Sequence, residues 1–134
     1  MAKILVADDE PPMRQMVRLA CERMQHEVHE AVDGPSAVLA YQRVKPDLLI
    51  LDLGMPGGGG PFVLNSLRFG GARNIAPVLV LSGTLEKSAE EVRQQLGVNM
   101  VLSKPFRIPE LLASVAQLLV QSAKEAGSRN TEPS

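Results

Sequence analysis

The chain has 134 residues, 45% of them apolar but only 3% aromatic, and 14 Lys+Arg against 15 Asp+Glu give a formal net charge of −1. That suits one domain with an aliphatic core, and it supplies neither the basic excess to follow a phosphate backbone nor the rings to stack bases, so direct nucleic-acid binding is not expected. A single Cys excludes an internal disulfide or a cysteine-rich zinc site, no apolar stretch approaches the roughly 18 residues of a membrane span, and the N-terminus turns acidic too soon for a signal peptide; a soluble cytoplasmic domain is expected.

The first aliphatic run, residues 3–7, has strand length. Pro11 and Pro12 follow, where a missing N–H costs a helix little, and Met13, Met16, Val17, Ala20, Cys21 and Met24 then make one stripe of an amphipathic helix. A second strand is predicted at 28–32. A second helix carries Ala37, Ala40, Tyr41 and Val44 and ends at Pro46. The run at 47–51 is the third strand, followed by a short helix over 62–67 with Pro61 in its first turn. Residues 77–81 make the fourth strand. Ala89, Val92 and Leu96 make a fourth helix stopped by Gly97. Residues 99–102 are the fifth strand, and Ile108, Leu111, Leu112, Val115 and Leu119 are the stripe of the fifth helix. Several strands are continuously apolar, as strands buried on both faces are, and five alternations of β and α predict an α/β sandwich with a parallel sheet and right-handed crossovers. We place the domain at 1–120 and read 121–134, which is polar and contains Gly127 and Pro133, as a frayed tail or the start of a linker.

In open α/β sheets ligands bind beyond the carboxyl ends of the strands. There the sequence puts Asp8, Asp9 and Glu10 after the first strand, Asp52 after the third, Ser82 and Gly83 after the fourth, and Lys104 and Pro105 after the fifth. Clustered carboxylates do not all stay ionised without a cation, and Mg²⁺ favours one or two carboxylates plus waters and phosphoryl oxygens. An ammonium can grip a phosphoryl oxygen, a hydroxyl can donate to it, and a carboxylate can become an aspartyl phosphate. These are the parts of phosphoryl transfer, and nothing for a hydrolytic triad is present. Singly, each has a plainer reading: Asp8 and Asp9 as helix caps, Asp52 as a turn residue, Ser82 as a cap, Lys104 as a solvated charge. Their shared edge favours a site. His26 and His29 lack partners at ligand spacing and read as surface residues. Cys21 reads as a buried inert thiol and the methionines of the first helix as core filler.

Over roughly residues 2–120 the chain resembles the receiver domain of two-component response regulators. The residues that carry the likeness are Ile4-Leu5-Val6-Ala7-Asp8-Asp9-Glu10, then Asp47-Leu48-Leu49-Ile50-Leu51-Asp52-Leu53-Gly54-Met55-Pro56 with Gly60 eight after Asp52, then Val78-Leu79-Val80-Leu81-Ser82-Gly83, and Ser103-Lys104-Pro105-Phe106. The resemblance implies a doubly wound (βα)5, flavodoxin-like sandwich with five parallel strands in the order 2-1-3-4-5. It implies Asp52 as phosphoacceptor, with Ser82 and Lys104 contacting the phosphoryl group. It implies Mg²⁺ (or Mn²⁺) bound by Asp9, Asp52 and the backbone carbonyl of Gly54, with Asp8 acting through a water, and a cis Lys104–Pro105 bond. The implied donor is a sensor histidine kinase or a phosphotransfer protein. The output is a downstream protein or effector domain, or a homodimer through the fourth helix, fifth strand and fifth helix. Such a chain is a switch with self-directed phosphoryl transfer and autodephosphorylation, not a turnover enzyme.

Two features depart from the pattern. Val101 stands where such domains usually carry Tyr or Phe, so a large ring movement on phosphorylation is not available, and the expected signal passes through the loop after the fourth strand and the fourth helix. Gly57-Gly58-Gly59-Gly60 puts a high ordering cost on the loop before the third helix, which is expected to be mobile without Mg²⁺ or phosphate. Gly54 and Thr84, the positions that in the family tune phosphoryl lifetime, are small or modest and suggest an open site. Competing readings are a flavodoxin-like mononucleotide binder, which the acidic first loop disfavours, a Mg²⁺-dependent phosphatase, for which no cap element is evident, and a receiver-like scaffold that is never phosphorylated.

Overall fold

The computed structural model describes residues 1–69, 75–83 and 87–131, of which 124–131 are described as helix backbone. Strands β1 (Lys3–Ala7), β2 (Glu27–Ala31), β3 (Leu48–Asp52), β4 (Val78–Ser82) and β5 (Met100–Ser103) alternate with helices α1 (Pro11–Arg23), α2 (Gly34–Val44), α3 (Gly59–Phe69), α4 (Ala89–Leu96) and α5 (Ile108–Thr131). All four strand pairings are parallel and the sheet order is β2-β1-β3-β4-β5. The expected doubly wound topology is the observed one.

Alternation along each central strand divides the core in two. Ile4, Val6, Leu48, Ile50, Leu79 and Leu81 face Val17, Ala20 and Cys21 of α1 and Leu111, Val115 and Leu118 of α5. Leu5, Ala7, Leu49, Leu51, Val78 and Val80 face Ala37 and Ala40 of α2 and Val63, Leu64 and Leu67 of α3. This two-sided burial is why the strands read as unbroken apolar runs: every residue of β3 and β4 is buried.

The predicted ends of β3, β4 and β5 lie one residue early. The ladder continues through Asp52↔Leu81 and Ser82↔Ser103, so Asp52 and Ser82 are the last residues of their strands and not the first of their loops. The hydrogen-bonded sheet thus outlasts the apolar run and holds two polar side chains rigidly at its edge. β2 begins one residue earlier than read, at Glu27. α3 begins at Gly59, not at 62.

The stretch from 121, read in the sequence as a frayed tail or the start of a linker, continues the backbone of α5 as helix to Thr131. Gln, Ala, Lys and Glu in this stretch are good helix formers, and polar composition does not stop a helix already nucleated. Among the described residues no helix is long and apolar enough to cross a membrane.

Candidate functional site

The carboxyl ends of β1, β3, β4 and β5 meet at one edge, and the parallel ladder fixes their relative height. Asp52, only 5% exposed, accepts a 3.0 Å hydrogen bond at Oδ1 from Lys104 Nζ. Lys104 is held in turn by its own N–H, which donates to Ser82 O at 2.8 Å, and its bond to Pro105 is cis. Ser82 is 3% exposed. Asp52, Ser82 and Lys104 are therefore brought together by β3, β4 and the residue after β5.

Asp8 is fully buried just beyond β1. Its Oδ1 accepts the Glu10 N–H at 2.9 Å, while Oδ2 makes no hydrogen bond among the described residues and has Lys104 Nζ 4.0 Å away. Burial raises the Asp8 pKa above the ordinary carboxylate value; the Asp52 charge adds to the rise, and the Glu10 amide and Lys104 oppose it. A buried carboxylate oxygen with no donor is costly unless something positive can reach it.

The donor set suits a hard cation. Asp8, Asp9 and Glu10 can each offer one carboxylate oxygen within 4.8 Å of the others. Gly54 lies beside Asp52, since a Cβ built on it would sit 3.8 Å from Asp52 Oδ2. Oxygen ligands, a buried orphan among them, fit Mg²⁺ or Mn²⁺. Glu10 is exposed and is also the residue before the first turn of α1.

The glycine run is packed closely. Gly57, Gly58 and Gly59 take positive φ. A Cβ on Gly59 would lie 2.5 Å from Leu53 O, and one on Gly34 would lie 2.6 Å from Gly57 O. The Gly34 N–H donates to Pro56 O at 3.0 Å. The loop that follows Asp52 is thus laid directly on the start of α2, where the Asp33–Ser36 capping box fixes the helix end.

Val101 is half-buried, pairs with Val80 and packs toward the α2–α3 core. Thr84 lies outside the described residues. His29 Nε2 is 2.7 Å from Glu27 Oε2 on β2, and His26 Nδ1 accepts the Ala2 N–H at 3.3 Å; both lie apart from the acidic edge. Cys21 is buried, and that burial pushes its thiol up to about 11. Met13 and Met16 pack against the α1–α5 core. One neighbour of the site was not legible from the sequence: Arg14 donates from Nη1 to the backbone carbonyl of Asp8 at 2.9 Å.

A doubly wound parallel sheet whose carboxyl edge gathers buried carboxylates, a lysine and a serine is a flavodoxin-like fold with an acidic site at its carboxyl edge. The chain belongs to the response regulator receiver domain family, whose profile matches residues 4–116. It is 39% identical over 113 residues to the KDP operon transcriptional regulatory protein KdpE of Escherichia coli, covering 84% of this chain and 49% of that protein. It is 30% identical over 122 residues to the transcriptional regulatory protein ResD of Bacillus subtilis, covering 91% and 50%. The chain spans about half the length of these curated relatives. Among solved structures, the receiver domain of the Francisella response regulator 1452 is 28% identical with a TM-score of 0.80, covering 91% of this chain and 99% of that one. The chemotaxis response regulator CheY4 of Vibrio cholerae is 32% identical with a TM-score of 0.78, covering 88% and 98%.

Proposed function

We propose that this receiver domain is a phosphorylation-controlled switch. Asp52 takes a phosphoryl group from the phosphohistidine of a sensor histidine kinase or phosphotransfer protein, in a Mg²⁺-dependent reaction, and the modified domain changes the partner it binds. The observation that carries this reading is the buried Asp52 held 3.0 Å from Lys104 Nζ, together with an Asp8 oxygen that has no hydrogen bond among the described residues.

In the transfer an Asp52 oxygen forms the new O–P bond as the donor's N–P bond breaks and its electron pair stays on the imidazole nitrogen. Lys104 shifts from the carboxylate to a phosphoryl oxygen, and the Ser82 hydroxyl donates to another. Asp8, Asp9, Asp52 and the Gly54 carbonyl would hold the Mg²⁺ or Mn²⁺ ion, which when bound supplies positive charge against the phosphoryl oxygens. Later attack of water on phosphorus breaks the Asp52 O–P bond, releases inorganic phosphate and returns the free carboxylate, so the chemistry is self-directed and the chain is not a turnover enzyme. Output passes to a downstream protein or effector domain, or to a homodimer through α4, β5 and α5. In this reading the domain works in the cytoplasm without touching nucleic acid itself.

Intact-mass measurement after incubation with a small phosphodonor tests this. The expected result is a gain of one phosphoryl group that requires Mg²⁺ and disappears in Asp52→Asn. No gain from a small donor or from a kinase, together with no Mg²⁺ binding, would leave the unphosphorylated scaffold as the better account.

A further inference from the structure

We infer that Arg14 is a positioning residue for the cation site: its guanidinium locks the turn that carries Asp8, Asp9 and Glu10, and Glu30 neutralises the charge this introduces. The inference rests on the Mg²⁺-dependent reading above.

The polar groups of Asp8 show why. Its N–H donates to Ala31 O of β2 at 3.1 Å, its C=O accepts from Arg14 Nη1 at 2.9 Å, and its Oδ1 accepts from Glu10 N at 2.9 Å. Three of its four polar atoms are thus committed to three different segments, and Oδ2 alone has no hydrogen bond among the described residues. Fixing the other three aims that one oxygen. Without Arg14 the carbonyl side of the Asp8 peptide would lose this anchor, and the turn could rotate away from the carboxyl edge.

Arg14 suits this task because its fork is rigid. While Nη1 holds the Asp8 carbonyl, Nε of the same planar group donates to Glu30 Oε1 of β2 at 3.0 Å. One side chain therefore ties α1, the end of β1 and β2 together, and it is only 15% exposed. An unpaired cation this close to the acidic turn would oppose metal binding. Glu30 offsets it and is itself shared with Arg18, which also pairs with Glu22. A lysine at 14 could keep the charge but not both directed contacts. This is the arrangement by which groups outside the ligand set orient metal ligands.

The test uses the full chain and three variants: Arg14→Met, Arg14→Lys and Arg18→Met. Mg²⁺ affinity is measured by calorimetric titration. In chelated, metal-free protein, exchange of the Glu10 amide is compared with that of the Ser36 amide, and the melting midpoint is recorded. Arg14→Met should weaken Mg²⁺ binding about tenfold and Arg14→Lys about threefold, with Arg18→Met within about twofold of wild type. Glu10 exchange should quicken in both Arg14 variants while Ser36 exchange stays unchanged. Wild-type Mg²⁺ affinity in the Arg14 variants, or an equal loss in Arg18→Met, overturns the role and leaves the receiver chemistry standing. A wild-type chain that binds no Mg²⁺ overturns that chemistry and this role together. Should Arg14→Met fail to fold, Arg14→Lys decides by the same two readouts.

Discussion

Asp8 shows how a single side chain can work against the stability of the fold that holds it. Its Oδ2 is buried and has no hydrogen bond among the described residues, and the charge of Asp52 disfavours its ionised form, with Lys104 4.0 Å away as partial relief. Replacing it should therefore help the resting fold. Asp8→Asn keeps the oxygen that caps the Glu10 N–H and removes the charge. We expect it to be more stable than wild type by about 1 kcal/mol in metal-free buffer, read by urea unfolding. Adding Mg²⁺ should stabilise wild type and not the variant, because only wild type offers the full carboxylate set. A variant less stable than wild type under chelation would contradict this account. Asp8 and Asp52 were legible in the sequence because acidic residues ending apolar runs are conspicuous. Arg14 was not, because a contact to a backbone carbonyl imposes no residue type on its partner and leaves no spacing to read.

Between strand and helix, the segment after Asp52 is built on absent side chains. Gly59 has φ +65 and no room for a Cβ beside Leu53 O, whereas a Cβ on Gly54 would meet, among the described residues, only Asp52 Oδ2 at an ordinary 3.8 Å. The two should respond differently to the same change. Gly59→Ala combines left-handed strain with a backbone clash and should cost about 2 kcal/mol or more. Gly54→Ala should stay within about 0.5 kcal/mol of wild type. Urea denaturation of both variants checks the contrast, and equal effects would mean the loop repacks freely. From sequence alone, four consecutive glycines read as an entropic penalty. The structure adds what the penalty secures, namely close contact between this loop and Gly34–Pro35 at the start of α2. The ends of β3 and β4 escaped the sequence reading for a related reason. Hydropathy stops at Leu51 and Leu81, but pairing does not.

Across the whole molecule, the sheet is a partition with helices α1 and α5 on one side and α2 and α3 on the other. That division was readable, since only strands buried on both faces carry such uninterrupted aliphatic runs. The continuation of α5 to Thr131 was not, because its last residues are mostly polar in sequence and include Gly127, which resembles a tail in composition. Ile50, at the centre of the middle strand and fully buried against the α1–α5 side, tests how much one layer contributes. Ile50→Ala should lose about 2–5 kcal/mol in urea unfolding, with a single transition, because the two cores share one sheet. Two separate transitions would show that the layers unfold independently.

The Lys104–Asp52 pair has a further consequence. With side chains 16% and 7% exposed, both partners are largely sheltered from bulk solvent, unlike the exposed Arg93–Glu90 pair of α4. Screening over a Debye length of about 8 Å at physiological ionic strength weakens surface pairs far more than sheltered ones. The strength of the Lys104–Asp52 pair is therefore set more by the fold than by simple salt, while the charges on α4 remain open to tuning by the medium.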